Sequence, residues 1–574
     1  MLRSLQRLPI AVLFLAAAPL NAAPRPGEKP EGPAVIGQAR SLHDLLEMTK
    51  TLVKNVAGDE LYKQFEQHAL PQLDFQKLPG VDPRRPFGMY GILEPELTKC
   101  RGVLLIPTPG EKQFFDMLTQ FEIPFNKGTE AGTFEIVVPP DVPFPITGRF
   151  HKEYAYIAIG GGDVLDLKTI LDPKDVINDK EKAPLYLALK LDRVPATTKK
   201  ALVGLVREHT DQLHEAIMEP ELKAAFTSAR NLALRWLKDL CDEGKELAFR
   251  VEADTKTGDV FVEMTVDGVA KSPLAEAIKK RGPTTNRFAS LVGDDYVQRL
   301  YISAPLFADE AKEAIAKLIE FGQKEATFGG NAPAEAVALK DAFFKSLLAT
   351  YSSGEMDLAA AIRGPNKDGF YTAVGAVHCK EGAQLEKAIR EASKVLPGQA
   401  SAYFKFDASK LGDLSVHEID LSDEAGDIAK SIFGKGQKAY FAFGKDALYA
   451  SYGPDGMKLL KEAVEAKRGP AAVFDSTSDP KKAAALLKKM FPADGQNGRG
   501  AFGVGYIESM SMSGMQVTVE GGDRLKVKAR INLGSFIMMG LGTFATEAKP
   551  AAPAVAAPPA VAAPPAVRKP KIDE

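Results

Sequence analysis

Cysteine is scarce in this chain of 574 residues: Cys100, Cys241 and Cys379 are the three present. Far apart and odd in number, they give no disulfide framework, and at least one thiol has no partner within the chain. All three read as small buried apolar residues. Neither sign of charge dominates, with 73 basic against 75 acidic residues and a net charge of −2. That balance offers no basic stripe for nucleic acid and no attraction to a strongly anionic membrane. Beyond the N-terminal stretch, no apolar run approaches the roughly 18 residues of a membrane span. The nearest, Leu533 to Phe544 (LGSFIMMGLGTF), is short and broken by glycine, so a buried helix or strand is expected there. Catalytic signatures are missing too: there is no G-x-S-x-G, H-E-x-x-H, EF-hand loop or C-x-x-C.

What is present begins with an address. Arg3 and Arg7 form a basic start, Leu8 to Leu20 is an apolar run, and small residues follow at Ala22 and Ala23. This order predicts a secretory signal peptide over 1–22 and a mature chain that starts near Ala23. A periplasmic or secreted location follows. With no cysteine near the cleavage point, neither a lipoprotein anchor nor a transmembrane segment is expected in the mature chain. Residues 23–35 are a Pro/Gly-rich linker. Residues 546–574 carry a repeated PAVAAP unit and should form a disordered, extended Pro/Ala-rich tail. The tail is either a tether or a solvated end without a partner. Between these ends, 45% hydrophobic and 26% charged residues match an ordinary globular protein.

The body reads as two related lobes, 36–282 and 283–545. Cys100 to Pro107 leads into an amphipathic segment at Lys112 to Phe121, as Tyr371 to His378 leads into Gln384 to Val395. Glu153 to Gly160 is matched with Lys438 to Gly444, and Leu185 to Pro195 with Ala471 to Pro480. Each lobe closes with a hairpin, one turning at Thr257-Gly258-Asp259 and the other at Gly521-Gly522-Asp523. Shared order, spacing and turn type predict a diverged tandem duplication. Strands alternate apolar and polar residues in both hairpins, which suits antiparallel sheet with one wet face. Phe226, Ala229, Ala233, Trp236, Leu237 and Leu240 form a helical stripe ended by Gly244, and Ala311, Ile315, Leu318 and Ile319 another stopped at Gly322. The expected class is α+β, each lobe a mostly antiparallel sheet with packed helices.

Candidate sites fare poorly against plainer readings. His378 and Cys379 are adjacent on a strand, so their side chains point apart and cannot act as nucleophile and base together. His209 and His214 are spaced i, i+5 rather than the i, i+4 of a zinc pair, and His209 reads as a core or boundary residue on a stripe with Leu202, Leu205 and Leu213. Met510, Met512 and Met515 could suit Cu(I), yet methionine is ordinary core filler. Gly160-Gly-Gly162 lacks the rest of a dinucleotide fingerprint and reads as a turn. Ser478-Asp-Pro-Lys481 has S-x-x-K spacing but reads as a helix cap. Gly434-Lys-Gly-Gln has no Walker spacing, and Pro83 to Pro86 is too small for a nucleic-acid patch. No residue is therefore assigned to catalysis, cofactor binding or metal binding.

The runs Pro86 to Leu93, Val103 to Pro107 and Tyr154 to Ala158, with Ser415 to Ile419 and Ala439 to Phe443, resemble large uncharacterised exported proteins of Planctomycetes-type bacteria. The resemblance covers roughly residues 36–545. It implies a signal peptide and a duplicated α+β body, and it brings no activity and no site residues. The leading expectation is thus a non-enzymatic envelope protein that binds or scaffolds an envelope protein or glycan. The alternatives are a hydrolase built on carboxylates dispersed in sequence, and a carrier of a lipid or other apolar ligand.

Overall fold

The computed structural model describes residues 32–532 apart from 69–77, 97–98, 140–143, 218, 292, 294, 306–308, 327–332, 397–399, 421–425 and 491–513. The expected signal peptide over 1–22, Leu533 to Phe544, the Pro/Ala-rich stretch 546–574 and both Met510 and Met512 lie outside the described residues.

The first half runs β1 (Val35–Ala39), α1 (Leu42–His68), β2 (Phe87–Ile92), β3 (Arg101–Pro107), α2 (Glu111–Gln120), β4 (Phe125–Lys127), β5 (Thr133–Ile136), β6 (Ile146–His151) and β7 (Tyr154–Ile159). It continues with α3 (Pro173–Val176), β8 (Leu185–Lys190), α4 (Ala196–Glu215), α5 (Pro220–Glu243), β9 (Gly244–Asp254) and β10 (Asp259–Gly268). After α6 (Pro273–Lys280) and β11 (Thr285–Asn286), the second half opens with β12 (Gln298–Pro305), α7 (Asp309–Glu325), α8 (Ala334–Ser352), β13 (Glu355–Arg363), β14 (Thr372–His378) and α9 (Gly382–Lys394). Then come β15 (Phe404–Leu411), β16 (Leu414–Asp420), α10 (Asp427–Phe433), β17 (Lys438–Phe443), β18 (Ala447–Tyr452) and α11 (Gly456–Val464). The last elements are β19 (Gly469–Pro470), β20 (Phe474–Ser478), α12 (Pro480–Met490), β21 (Met515–Glu520) and β22 (Leu525–Asn532).

Local chemistry sets several of these boundaries. Ser272 caps α6 by accepting the Ala275 N–H at 3.1 Å, with Pro273 at the first helical position. Asp479 accepts the Lys482 N–H at 2.9 Å and starts α12, so Asp479, not Ser478, is the cap in the S-x-x-K stretch. In the β9–β10 turn, Asp254 accepts the Lys256 N–H at 2.8 Å and Gly258 supplies a φ of 74°.

Twenty strands form one continuous antiparallel sheet, and β11 and β19 make a separate small pair. The two expected lobes therefore share a sheet. Its order is β4-β5-β6-β7-β3-β2-β1-β8-β9-β10, then β22-β21-β20-β12-β13-β14-β18-β17-β16-β15. Read outward from the β10–β22 seam, both halves follow one order: the last three strands, then the first three, then the remaining four. Helices fall in matching gaps, with α2 and α9 each after the third strand. By this order β7 matches β18 and β6 matches β17. The run Glu153 to Gly160 therefore pairs off with residues 447–452, not with Lys438 to Gly444 as spacing suggests.

The register defines the two faces of the sheet. One face carries Ile159, Leu104, Met89, Gly37, Leu187, Phe249, Met264, Val527 and Val519 on successive strands, and continues through Ile302, Leu358 and Leu448. Polar residues interrupt this apolar face at Ser476 and Ser478 of β20 and at Gln298 of β12. On the opposite face, the middle strands carry charge. Arg250 sits 3.0 Å from Glu181, Lys190 contacts Glu246, and Arg299 lies 3.0 Å from Asp475. Toward each outer end that second face is buried: Val103, Leu105 and Tyr156 pack near α3, and Val374 and Ala376 pack against Leu459 and Ala463 of α11.

Helices cover the apolar face only in part. Phe114, Met117 and Leu118 of α2 seal Ala155 and Ile157, and Leu339, Ala342, Leu385 and Ile389 of α8 and α9 seal Phe441, Phe443 and Leu448. Between these caps Leu104, Ile159, Leu185, Leu187 and Phe249 remain 37–48% exposed. The helical stripes are rotated from their sequence reading. In α5 the buried side chains are Ala225, Ser228, Leu234 and Cys241, while Trp236 is 62% exposed. Helix α7 runs past Gly322 to Glu325 and buries Ala314 and Ile319. Helix α5 docks on α7, so each half contributes to one helix row.

Candidate functional site

The apolar face opens into a trough of about 750 Å³ in the second half. Its floor is a row of small residues directly paired across three strands: Ala360, Gly375 and Ala450. Ile362, Tyr452, Phe441 and Ile389 rise around it. The sequence builds this locally by placing alanine and glycine at the alternate positions of β13, β14 and β18 that face away from α11. A Cβ added at Gly375 would come no closer than 3.5 Å to any neighbour, so a larger side chain there would grow into the trough. Gln298 and Tyr452 bring polar groups to its rim, whereas two further polar residues of the lining point their bonds elsewhere. Arg299 pairs with Asp475 on the opposite face, and Ser451 donates to the Gly456 carbonyl at 2.8 Å. The trough strands are interior ones whose edges are both paired, so the floor offers no free backbone groups.

At one end of the trough stands a charged cluster on α9, β15 and β16. Arg390 makes a two-pronged ion pair with Asp407 at 2.8 and 2.9 Å and reaches Glu386 at 2.7 Å. Its guanidinium also lies 4.7 Å from the Phe406 ring centre. Asp407 sits at a break in the β15–β16 register with a φ of 53°. Arg390 holds the Asp407 carboxyl down at about 2. His417, fully buried between Phe406 and Phe441, accepts the Asp407 backbone N–H on Nδ1 at 3.1 Å. Burial lowers its pKa, so the assigned ring is neutral with its proton on Nε2.

Glu386, Asp407 and His417 could be taken for a metal site, since their ligand atoms lie within 4.8 Å of one another. The chemistry argues otherwise. Both carboxylates are already engaged by Arg390, whose single charge they share. The lone pair of Nδ1 is used by the Asp407 N–H, which leaves Nε2 as a protonated donor rather than a ligand. Nε2 lies 3.2 Å from Glu386 Oε1 but points off the hydrogen-bond line. The cluster is an ion-pair clasp that fixes α9, and with it Ile389, over the trough.

The sequence candidates fall away from the trough. His378 is buried and its Nδ1 lies 3.0 Å from the Glu355 carbonyl, while the Cys379 thiol, pushed up by burial, meets Ser346 Oγ at 3.1 Å. His209 is exposed on α4, contrary to its reading as a core or boundary residue, because no side chain of α4 is buried. His214 instead bonds Thr227 of α5 at 2.9 Å. Gly160 to Gly162 form the turn after β7. Met515 opens β21. All three cysteines are free thiols.

Carboxylate chemistry finds little footing. Among the described residues, Asp357 is the single acid whose pKa is raised, chiefly by burial. It lies beside Arg287 and Arg468 rather than facing a second acid across an open cleft. The trough itself was not visible in the sequence: its floor is made by three strands drawn from separate stretches, each unremarkable alone. Comparison with known protein families, with curated proteins and with solved structures found no match, so the function is argued from this geometry.

Proposed function

We propose that this chain is a non-enzymatic, exported carrier of an apolar ligand of the acyl-chain class. The observation that carries the reading is the trough, an all but carbon-lined cavity on a sheet face that stays open between its helical caps. A volume of about 750 Å³ falls within the range of small-ligand sites. A polypeptide is a poor occupant, because it would bring backbone N–H and C=O groups to a floor with none free to pair them. An acyl chain brings no such groups. Burying about ten methylenes contributes about 8 kcal/mol, from which the cost of immobilising the ligand is subtracted. Export rests on the N-terminal signal pattern, and the repeated strand order supports descent from a duplicated half.

The test is to purify the chain from Ala23 to Glu574 by export, extract it for lipid, and titrate the stripped protein with hexadecanoate. Saturable binding, lost in Gly375→Leu with the fold intact by circular dichroism, is the expected result. No bound lipid and no saturable uptake would refute the carrier, and would return the leading place to a scaffold for an envelope protein or glycan.

A further inference from the structure

The strand order of the two halves makes a specific comparison possible, because each residue pair framing the trough has a counterpart in the first half. Gly375↔Ala450 corresponds to Leu104↔Ile157, and Ala373↔Tyr452 to Gly102↔Ile159. Ala360↔Gly375 corresponds to Met89↔Leu104, and Ile362↔Ala373 to Gly91↔Gly102. Leu300↔Ala360 likewise corresponds to Gly37↔Met89. The two sets lie on the same face of the one sheet, eleven strand-to-strand steps apart, or about 50 Å measured along it.

At this counterpart position the sheet is again apolar and uncovered. Leu104 is 40% exposed and Ile159 48% exposed, although both sit on interior strands. A Cβ added at Gly102 would meet nothing within 4 Å, so the space above Gly102 is open, while Val35 stands 3.2 Å from a Cβ added at its partner Gly91 and walls that side. Side-chain sizes are redistributed between the halves. The trough has a small floor, whereas here Met89 and Leu104 fill the floor, Ile157 lies under α2, and Gly91, Gly102 and Ile159 stand where the trough has Ile362, Ala373 and Tyr452. The apolar strip then continues to Leu187 and Phe249 on β8 and β9.

We infer that the first half holds a second site for the same class of ligand, centred on Gly102, Leu104 and Ile159, so that one chain binds two acyl chains. This rests on the carrier reading. The occupant is argued as for the trough. The strands are interior, their backbone groups are used in the ladder, and the side chains present no charge to pair with a peptide or glycan. Being shallower, the second site binds more weakly than the trough.

The experiment counts hexadecanoate bound to the full mature chain by native mass spectrometry and by calorimetric titration. Two equivalents of unequal affinity are expected. Leu104→Asp and Ile159→Asp, both at exposed positions and with the fold checked by circular dichroism, should each remove the weaker equivalent and leave the tighter one within about twofold. Gly375→Leu should remove the tighter equivalent alone. One equivalent that is lost in Gly375→Leu and unmoved by Leu104→Asp would overturn the second site while leaving the carrier standing. No binding to the unaltered chain would overturn both.

Discussion

At the residue scale, the buried histidines give the second half a pH response with a definite sign. Burial holds His378 and His417 below the ordinary value of 6.5. The unfolded chain therefore takes up protons before the folded one does. Stability that is complete above about pH 6.5 is lost as the pH falls through the lowered folded values. Asp407 acts further down. Arg390 holds it at about 2 against an ordinary 3.8, so its contribution is whole above about pH 4 and disappears as the pH approaches 2. The thermal midpoint should accordingly fall between pH 7 and pH 5. His378→Asn, which keeps a donor for the Glu355 carbonyl without a titrating ring, should flatten that fall. Equal slopes in the two proteins, measured by differential scanning calorimetry, would rule His378 out as a source. Histidine chemistry of this kind was only half legible in the sequence. The adjacency of His378 and Cys379 shows that they cannot cooperate, but the partner of His417 depends on a register break in β15 that no local pattern announces.

At the scale of the element, the ends of β7 and β18 repeat one geometry. Gly160 has a φ of 97°, and a Cβ there would stand 2.6 Å from the Cys100 carbonyl oxygen. Gly453 has a φ of 124°, and a Cβ there would stand 2.6 Å from the Tyr371 carbonyl oxygen. Each glycine ends the seventh strand of its half, and each opposing carbonyl belongs to the residue just before the third. In both places the chain must turn past a neighbouring backbone that cannot yield. Gly160→Ala and Gly453→Ala should each destabilise the protein by about 2–4 kcal/mol, from the positive φ plus the backbone clash. Gly436→Ala makes a control: its φ is 68°, but nothing lies within 4 Å of the added carbon, so a smaller loss of about 1 kcal/mol is expected. Urea unfolding of the three variants decides the matter, and equal losses would deny the role given to the two carbonyls. The strands and hairpins were readable because alternation and turn residues are local, whereas the order of the strands across one shared sheet was not. The helical stripes of α5 and α7 were not, because apolar spacing shows that a helix has a face without showing how much of it a neighbour covers. Trp236 lies on the apolar side of α5 by sequence and still faces water.

At the scale of the whole molecule, the apolar face is a property of pairing. Each strand displays two alternating faces in its own sequence, and only the register joins one face of β7 to one of β8 and onward to β18. The trough and its counterpart are therefore invisible strand by strand, although the residues that build them are plain. Among the described residues, the pairing of β10 with β22 joins the two halves of the large sheet, with Val262 opposite Ala529 and Val251, while β11 and β19 pair apart from it. If that seam makes the two halves fold as one unit, breaking it should uncouple them. Val262→Pro removes an N–H from an interior strand and costs about 3 kcal/mol or more. The helix contact between α5 and α7, with Lys317 Nζ 3.2 Å from Ser228 Oγ, stays in place to hold the halves together. The unaltered chain should then melt in one calorimetric transition and Val262→Pro in two, with most of its far-ultraviolet signal kept between them. Asn126→Pro, on the edge strand β4, carries the same backbone lesion far from the seam and should leave a single transition. Two transitions in the unaltered chain, or one in Val262→Pro at an unchanged temperature, would show that the seam does not couple the halves.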